Sequence, residues 1–122
     1  MFQYTNLKSL EHIYLEDSYV LCIIEKKFQV IFEMEFVLCK THPLYSNPKI
    51  GEHYCYKNGQ LIFNNVISIN WIIAKKALNI VKDDIDYGNI DSMEFLNNKY
   101  CIEGDWGEVE INLDIEPQVE FE

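Results

Sequence analysis

Apolar and polar positions alternate most strictly in two stretches of the chain. Across Phe28 to Cys39, Val30, Phe32, Met34, Phe36 and Leu38 share one side of an extended backbone, while Gln29, Glu33 and Glu35 share the other. Near the C-terminus, Val109, Ile111, Leu113 and Ile115 alternate with Glu108, Glu110, Asn112 and Asp114. A period of two puts successive side chains on opposite faces of a strand, so each stretch predicts a strand with one oily and one polar face. The second has a polar face made largely of carboxylates.

The other elements follow from punctuation. Asn6 to Glu11 predicts one helical turn with Asn6 as its N-cap, before His12 to Leu15 becomes extended. Ser18 to Ile24 is apolar on both sides and rich in β-branched and aromatic residues, which suits a central strand; the turn Glu25 to Lys27 makes it a hairpin with the strand that follows. Lys40 to Glu52, carrying Pro43, Pro48 and Gly51, is a long loop. Asn58 and Gly59 lie between His53 to Tyr56 and Gln60 to Phe63, and Asn-Gly suits a two-residue hairpin turn, so a hairpin is expected there. Asn64 and Asn65 mark a bulge or bend before a strand at Val66 to Ile73.

Ile72 to Val81 fits a helix or a strand, and Asp91 to Leu96 a short strand or one helical turn. Lys99 to Glu103 and Glu108 to Ile115 are expected to pair antiparallel across Gly104, Asp105, Trp106 and Gly107. Gln118 to Glu122, after Pro117, predicts a short edge strand. Together these elements predict a mainly β, single-domain antiparallel β-sandwich or partly open barrel spanning residues 1–122, with at most one substantial helix. The alternative is an α+β fold with a helix at Ile73 to Val81 packed on one face of an antiparallel sheet.

Composition sharpens this picture in three ways. The net charge is -10, and the last twenty residues hold eight carboxylates with no lysine or arginine, whereas residues 1 to 102 carry 12 acids against 10 lysines. The acidity is therefore local. A run of like charge is usually disordered, but the alternation of Val109, Ile111, Leu113 and Ile115 argues for a core strand that fixes its carboxylates in a row. With no arginine and a pI near 4.6, bidentate phosphate contacts are impossible and a phosphate backbone or anionic membrane surface would repel the chain. Finally, Cys22, Cys39, Cys55 and Cys101 form no CxxC pair, no signal-peptide pattern opens the chain, and the apolar stretch Val66 to Ala74 falls well short of the roughly 20 residues of a bilayer span. The expectation is a reduced, cytoplasmic protein.

Candidate chemistry is sparse. Asp83, Asp84, Asp86, Asp91 and Glu94 invite a divalent cation, with Asp84, Asp86 and Asp91 as the candidate ligands. The EF-hand spacing fails: with Asp84 at position one, Gly88 falls one residue early and so does Glu94. His53 and Cys55 would share a strand face and could offer zinc two ligands, with His42 as a third, but no CxxC or HxxxH supports them. Cys55 with His53 or His42, and Asp105 with His12, can be written as nucleophile or acid–base pairs, yet GxSxG, HExxH, GxxxxGK[ST] and GxGxxG are all missing. No cofactor is expected.

The remaining signal is a surface of carboxylates and aromatics. Trp106 between Asp105 and Glu108, with Glu110, Tyr54 and Tyr56, forms the candidate binding set, because aromatic side chains anchor interfaces and carboxylates steer basic partners. In type, a small acidic β-rich chain without catalytic motifs is similar to the immunity proteins that neutralise bacterial toxins, many of which present carboxylates to basic surfaces. That resemblance implies a non-enzymatic protein-binding module whose partner has a basic surface. Two other readings stay open: a small-molecule- or metal-dependent protein centred on the Asp84, Asp86 and Asp91 turn, and a self-associating structural protein.

Overall fold

The computed structural model describes residues 1–73 and 88–122. Its strands are β1 (Phe2–Gln3), β2 (Ile13–Lys26), β3 (Gln29–Leu38), β4 (Cys55–Asn64), β5 (Val66–Ile73), β6 (Ile90–Leu96), β7 (Lys99–Gly104), β8 (Gly107–Leu113) and β9 (Gln118–Phe121). They build two sheets, a first in the order β1-β6-β7-β8-β5 and a second in the order β2-β3-β4-β9. Every neighbouring pair is antiparallel. Neither sheet closes on itself, so the architecture is the sandwich among the forms expected, and no helix of seven or more residues occurs among the described residues. The segment expected as helix or strand beyond Ile73 lies outside them. Among them, too, no helix is long and apolar enough to cross a membrane.

The two alternating stretches behave as their patterns require. Val30, Phe32, Met34, Phe36 and Leu38 of β3 all face the core, as do Val109, Ile111 and Leu113 of β8. Ile115 lies beyond the end of β8 and is 39% exposed. Burying such side chains completely is worth about 1.5–3 kcal/mol each, so the alternation decides which face of each strand turns inward. The β2–β3 hairpin forms across Lys27 and Phe28, the latter at φ 66°. Asn65, at φ 55°, makes the corner at which the chain leaves the second sheet for the first.

Ser18 is the one buried polar residue among those described. Its hydroxyl donates to the Tyr14 carbonyl and accepts the Val37 N–H at 2.9 Å, which satisfies the backbone at the register shift between Tyr14 and Tyr19.

Two local expectations are corrected. Asn58 and Gly59 do not turn the chain: β4 runs straight through them, with Asn58 opposite Glu35 and Gly59 opposite Met34. The reason lies on the other edge of β4, where Gly59 pairs with Phe121 of β9 and a Cβ on Gly59 would collide with the Glu120 carbonyl. This glycine serves close strand approach rather than a turn. At the N-terminus, the helical turn expected within Asn6 to Glu11 is the 3₁₀ turn Lys8–Leu10, preceded by a second at Tyr4–Asn6, but Asn6 does not cap it and no side chain caps either turn. Leu7 and Leu10 are buried, so the tight turns serve to direct apolar side chains into the core.

The collision at Gly59 generates a test. Gly59→Val is expected to push β9 off β4 and lower stability by about 1–3 kcal/mol, the usual range for overpacking. A chemical-denaturation midpoint equal to that of the parent chain would count against this role for Gly59.

Candidate functional site

The outer face of the first sheet carries the acidic row. With Val109, Ile111 and Leu113 locked inward, Glu108, Glu110 and Asn112 must point out. Register then adds residues from the neighbouring strands. Glu103 stands directly opposite Glu108, Cys101 opposite Glu110, and Glu94 of β6 opposite Cys101. On the other flank Ser68 and Asn70 of β5 face Asn112 and Glu110, and Asn112 donates to the Ser68 hydroxyl at 2.9 Å. Among the described residues one cation answers these carboxylates: Lys99 lies 3.5 Å from Glu110, an exposed pair worth at most about 1 kcal/mol.

Like charges directly opposite on adjacent strands are unfavourable, and the titration of Glu108 reflects it. Partial withdrawal from water pushes the Glu108 carboxyl above its ordinary range, and the hydrogen bond and charge of Glu103, then the charge of Glu110, push in the same direction. Cys101 feels the same field. Burial and the Glu110 carboxylate raise its thiol, with Lys99 only partly offsetting them, so it is held in the protonated, poorly nucleophilic form.

Trp106 is not on this surface. Its indole is 1% exposed, packs edge-on against Phe32 at 5.3 Å and Trp71 at 6.0 Å, and donates to the Asn89 carbonyl at 3.1 Å. The expected anchor is thus a core residue, and the glycine two positions before it explains why. A Cβ on Gly104 would strike the Trp106 indole nitrogen and the Asn89 carbonyl, so Gly104 clears the space into which the ring folds back. Asp105, beside it in the turn, stays exposed, and its carboxylate lies against Gly88 at φ 81°.

Tyr54 and Tyr56 lie elsewhere. Tyr56 points from the outer face of the second sheet, on the opposite side of the sandwich from Glu108 and Glu110. Its ring is perpendicular to that of Tyr54 at 6.1 Å and tilted against Tyr19 at 6.2 Å. Tyr54 and Tyr56 line a groove of about 360 Å³ with Glu35, Glu52, Glu122, Lys49 and Lys57. The expected binding set therefore divides into an acidic face and an aromatic groove that no single small contact covers. Glu94 and Glu103 on the face, and Glu35 and Glu52 at the groove, join through cross-strand register and loop packing, and Tyr19 adjoins the groove through its contact with Tyr56.

Compared with known proteins, the chain matches no family model, no curated protein and no solved structure.

Among the remaining candidates, Cys55, His42 and His12 are engaged in local bonding. Of the acidic turn, Asp91 is exposed on β6, while Asp84 and Asp86 lie outside the described residues. Among the described residues no three His, Cys, Asp or Glu side chains converge to hold a metal ion. Cys55 is buried and its sulfur accepts the Ser46 N–H at 3.5 Å. His42 Nδ1 accepts the Leu44 N–H at 3.0 Å, and its ring packs on Phe121. Burial, then the neighbouring His12, lower the pKa of His42. His12 shares a hydrogen bond with Thr41 at 2.7 Å. No hydrogen bond joins Cys55 to a histidine or Asp105 to His12 among the described residues, and the four cysteines are free thiols.

The facing glutamates carry a pH prediction. A carboxyl whose folded pKa is raised binds protons more readily folded than unfolded, so its contribution to stability grows as pH falls through the Glu108 pKa and is unfavourable above it. Carbon-detected titration is expected to place the Glu108 midpoint above that of an isolated glutamate, and Glu103→Gln to move it back down. A Glu108 midpoint indifferent to Glu103→Gln would overturn the pairing.

Proposed function

We propose that this chain is a non-enzymatic protein-binding module that docks a basic partner protein on the outer face of its first sheet, in the manner of an immunity-type inhibitor acting in the cytoplasm. The observation that carries the reading is the register that sets Glu103 against Glu108, with Glu94 and Glu110 close by, on a sheet face where Lys99 is the one ion-paired lysine among the described residues. Such a juxtaposition costs free energy in the isolated protein, and a cationic partner surface converts that cost into attraction. Asp105 extends the acidic face at the β7–β8 turn. Trp106 supports the face from behind and contributes no contact of its own. The same field repels phosphate, which argues against nucleic acid and anionic lipid as partners.

The test uses the protein that the parent chain captures from native lysate. Glu108→Lys together with Glu110→Lys is expected to slow association at low salt about tenfold or more and to flatten its salt dependence, as electrostatic steering requires. Glu120→Lys, on the second sheet, is expected to leave the rate unchanged. Association at low salt that survives the double reversal intact would sink the reading.

A further inference from the structure

We propose that the groove between the 46–52 loop and the outer face of the second sheet is a separate binding site for a small ammonium zwitterion. Three observations converge on that chemistry. The rings of Tyr54 and Tyr56 stand at 89° with centroids 6.1 Å apart, and Tyr19 adds a third ring 6.2 Å from Tyr56. Neighbouring aromatic faces attract an alkylammonium group through their quadrupoles, most strongly when the methyl groups around the nitrogen match the apolar wall.

Glu35 and Glu52 line the same groove and supply the countercharge, and Lys49 and Lys57 line it too. No ion pair joins these two carboxylates to these two lysines, although all four are described. Both signs of charge are therefore present without neutralising each other. A ligand with an ammonium end for the tyrosines and carboxylates and an anionic end for the lysines answers both.

The lysines also decide the size of the occupant. With Glu122, three glutamates face two lysines, so the groove carries mixed charge with only a small negative excess and is a poorer match for a polybasic segment than the first sheet, while the volume of about 360 Å³ falls in the range of small-ligand clefts. The loop is shaped for the purpose: the Glu52 N–H donates to the Lys49 carbonyl at 2.9 Å, and Gly51 at φ 87° closes this turn, fixing Lys49 and Glu52 at its two ends. Tyr56 keeps its phenol proton, since burial and then the surrounding Tyr19, Glu35, Glu52 and Tyr54 all push its pKa up, so its ring remains a neutral π surface. The site is independent of the proposed protein partner.

Glycine betaine is the probe, followed by the tyrosine ring resonances of the full chain. Saturable shifts of Tyr19, Tyr54 and Tyr56 at millimolar betaine are expected, with sodium acetate giving none. Tyr54→Leu is expected to weaken binding about fivefold, the scale of one exposed cation–π contact. Glu52→Gln, a substitution in an exposed loop that leaves the core alone, is expected to weaken it similarly, and Glu108→Lys to leave it unchanged. The absence of a saturable shift would overturn the proposal, as would shifts reproduced by acetate or an affinity unmoved by both Tyr54→Leu and Glu52→Gln.

Discussion

A continuous line of aromatic rings joins the two sheets, and the rest of the molecule is arranged around it. It runs from Trp71 on β5 to Trp106, crosses to Phe32 and Phe63 on the second sheet, returns to Tyr100, and ends through Phe95 at Phe2 on β1. Most of its contacts are edge-to-face, the arrangement that the ring quadrupole favours, and each adds about 0.5–1.5 kcal/mol beyond the area buried. Its two indoles have polar edges that find partners. Trp71 donates to Glu25 at 2.6 Å and Trp106 to the Asn89 carbonyl, so neither indole nitrogen is stranded. Because both sheets contribute rings, the line fixes which face of each sheet is internal, and with it which residues remain outside.

Both candidate surfaces inherit their geometry from that decision. On the first sheet, inward Val109 and Ile111 force Glu108 and Glu110 outward; on the second, inward Phe36 and Cys55 do the same for Glu35 and Tyr56. The molecule thus presents an acidic sheet face on one side and an aromatic, mixed-charge groove on the other, separated by the thickness of the core. A face assembled from residues of several strands suits a protein surface, whose recognition spreads over many residues. Concavity suits a small molecule, most of whose surface must be covered.

How far the sequence disclosed this depended on the range of the interaction involved. Period-two alternation is local, and it correctly marked β3 and β8 as well as the pairing of β7 with β8. The acidic row was legible for the same reason, as far as Glu108 and Glu110. Its completion by Glu94 and Glu103 was not, because register between strands depends on contacts remote in sequence. The glycines misled in an instructive way. Asn58 and Gly59 carry the chemistry of a tight turn, yet Gly59 is glycine because β9, some sixty residues later in the chain, passes too close for a Cβ. Likewise Gly104 and Trp106 sit in a turn, where an aromatic reads as exposed, but the space opened by the glycine lets the indole fall inward. In both cases the residue type was right for two structures, and packing that the local pattern does not reveal chose between them.

The rigidity of this frame gives the acidic row its particular character. Glutamates on a mobile tail relieve repulsion by moving apart, at little cost. Glu103 and Glu108 cannot do so at the backbone, since Ile102 and Val109, their immediate neighbours in the chain, are fully buried against each other's strand and the core. The residual freedom lies in side-chain rotation, in proton uptake and in cations from outside. Rotation leaves Glu108 in the field of Glu110, whose charge also raises its pKa, and proton uptake is what that raised pKa expresses. What remains near neutral pH is attraction of external positive charge, so the free energy with which the core holds these carboxylates together is the same free energy that a basic partner would recover on docking.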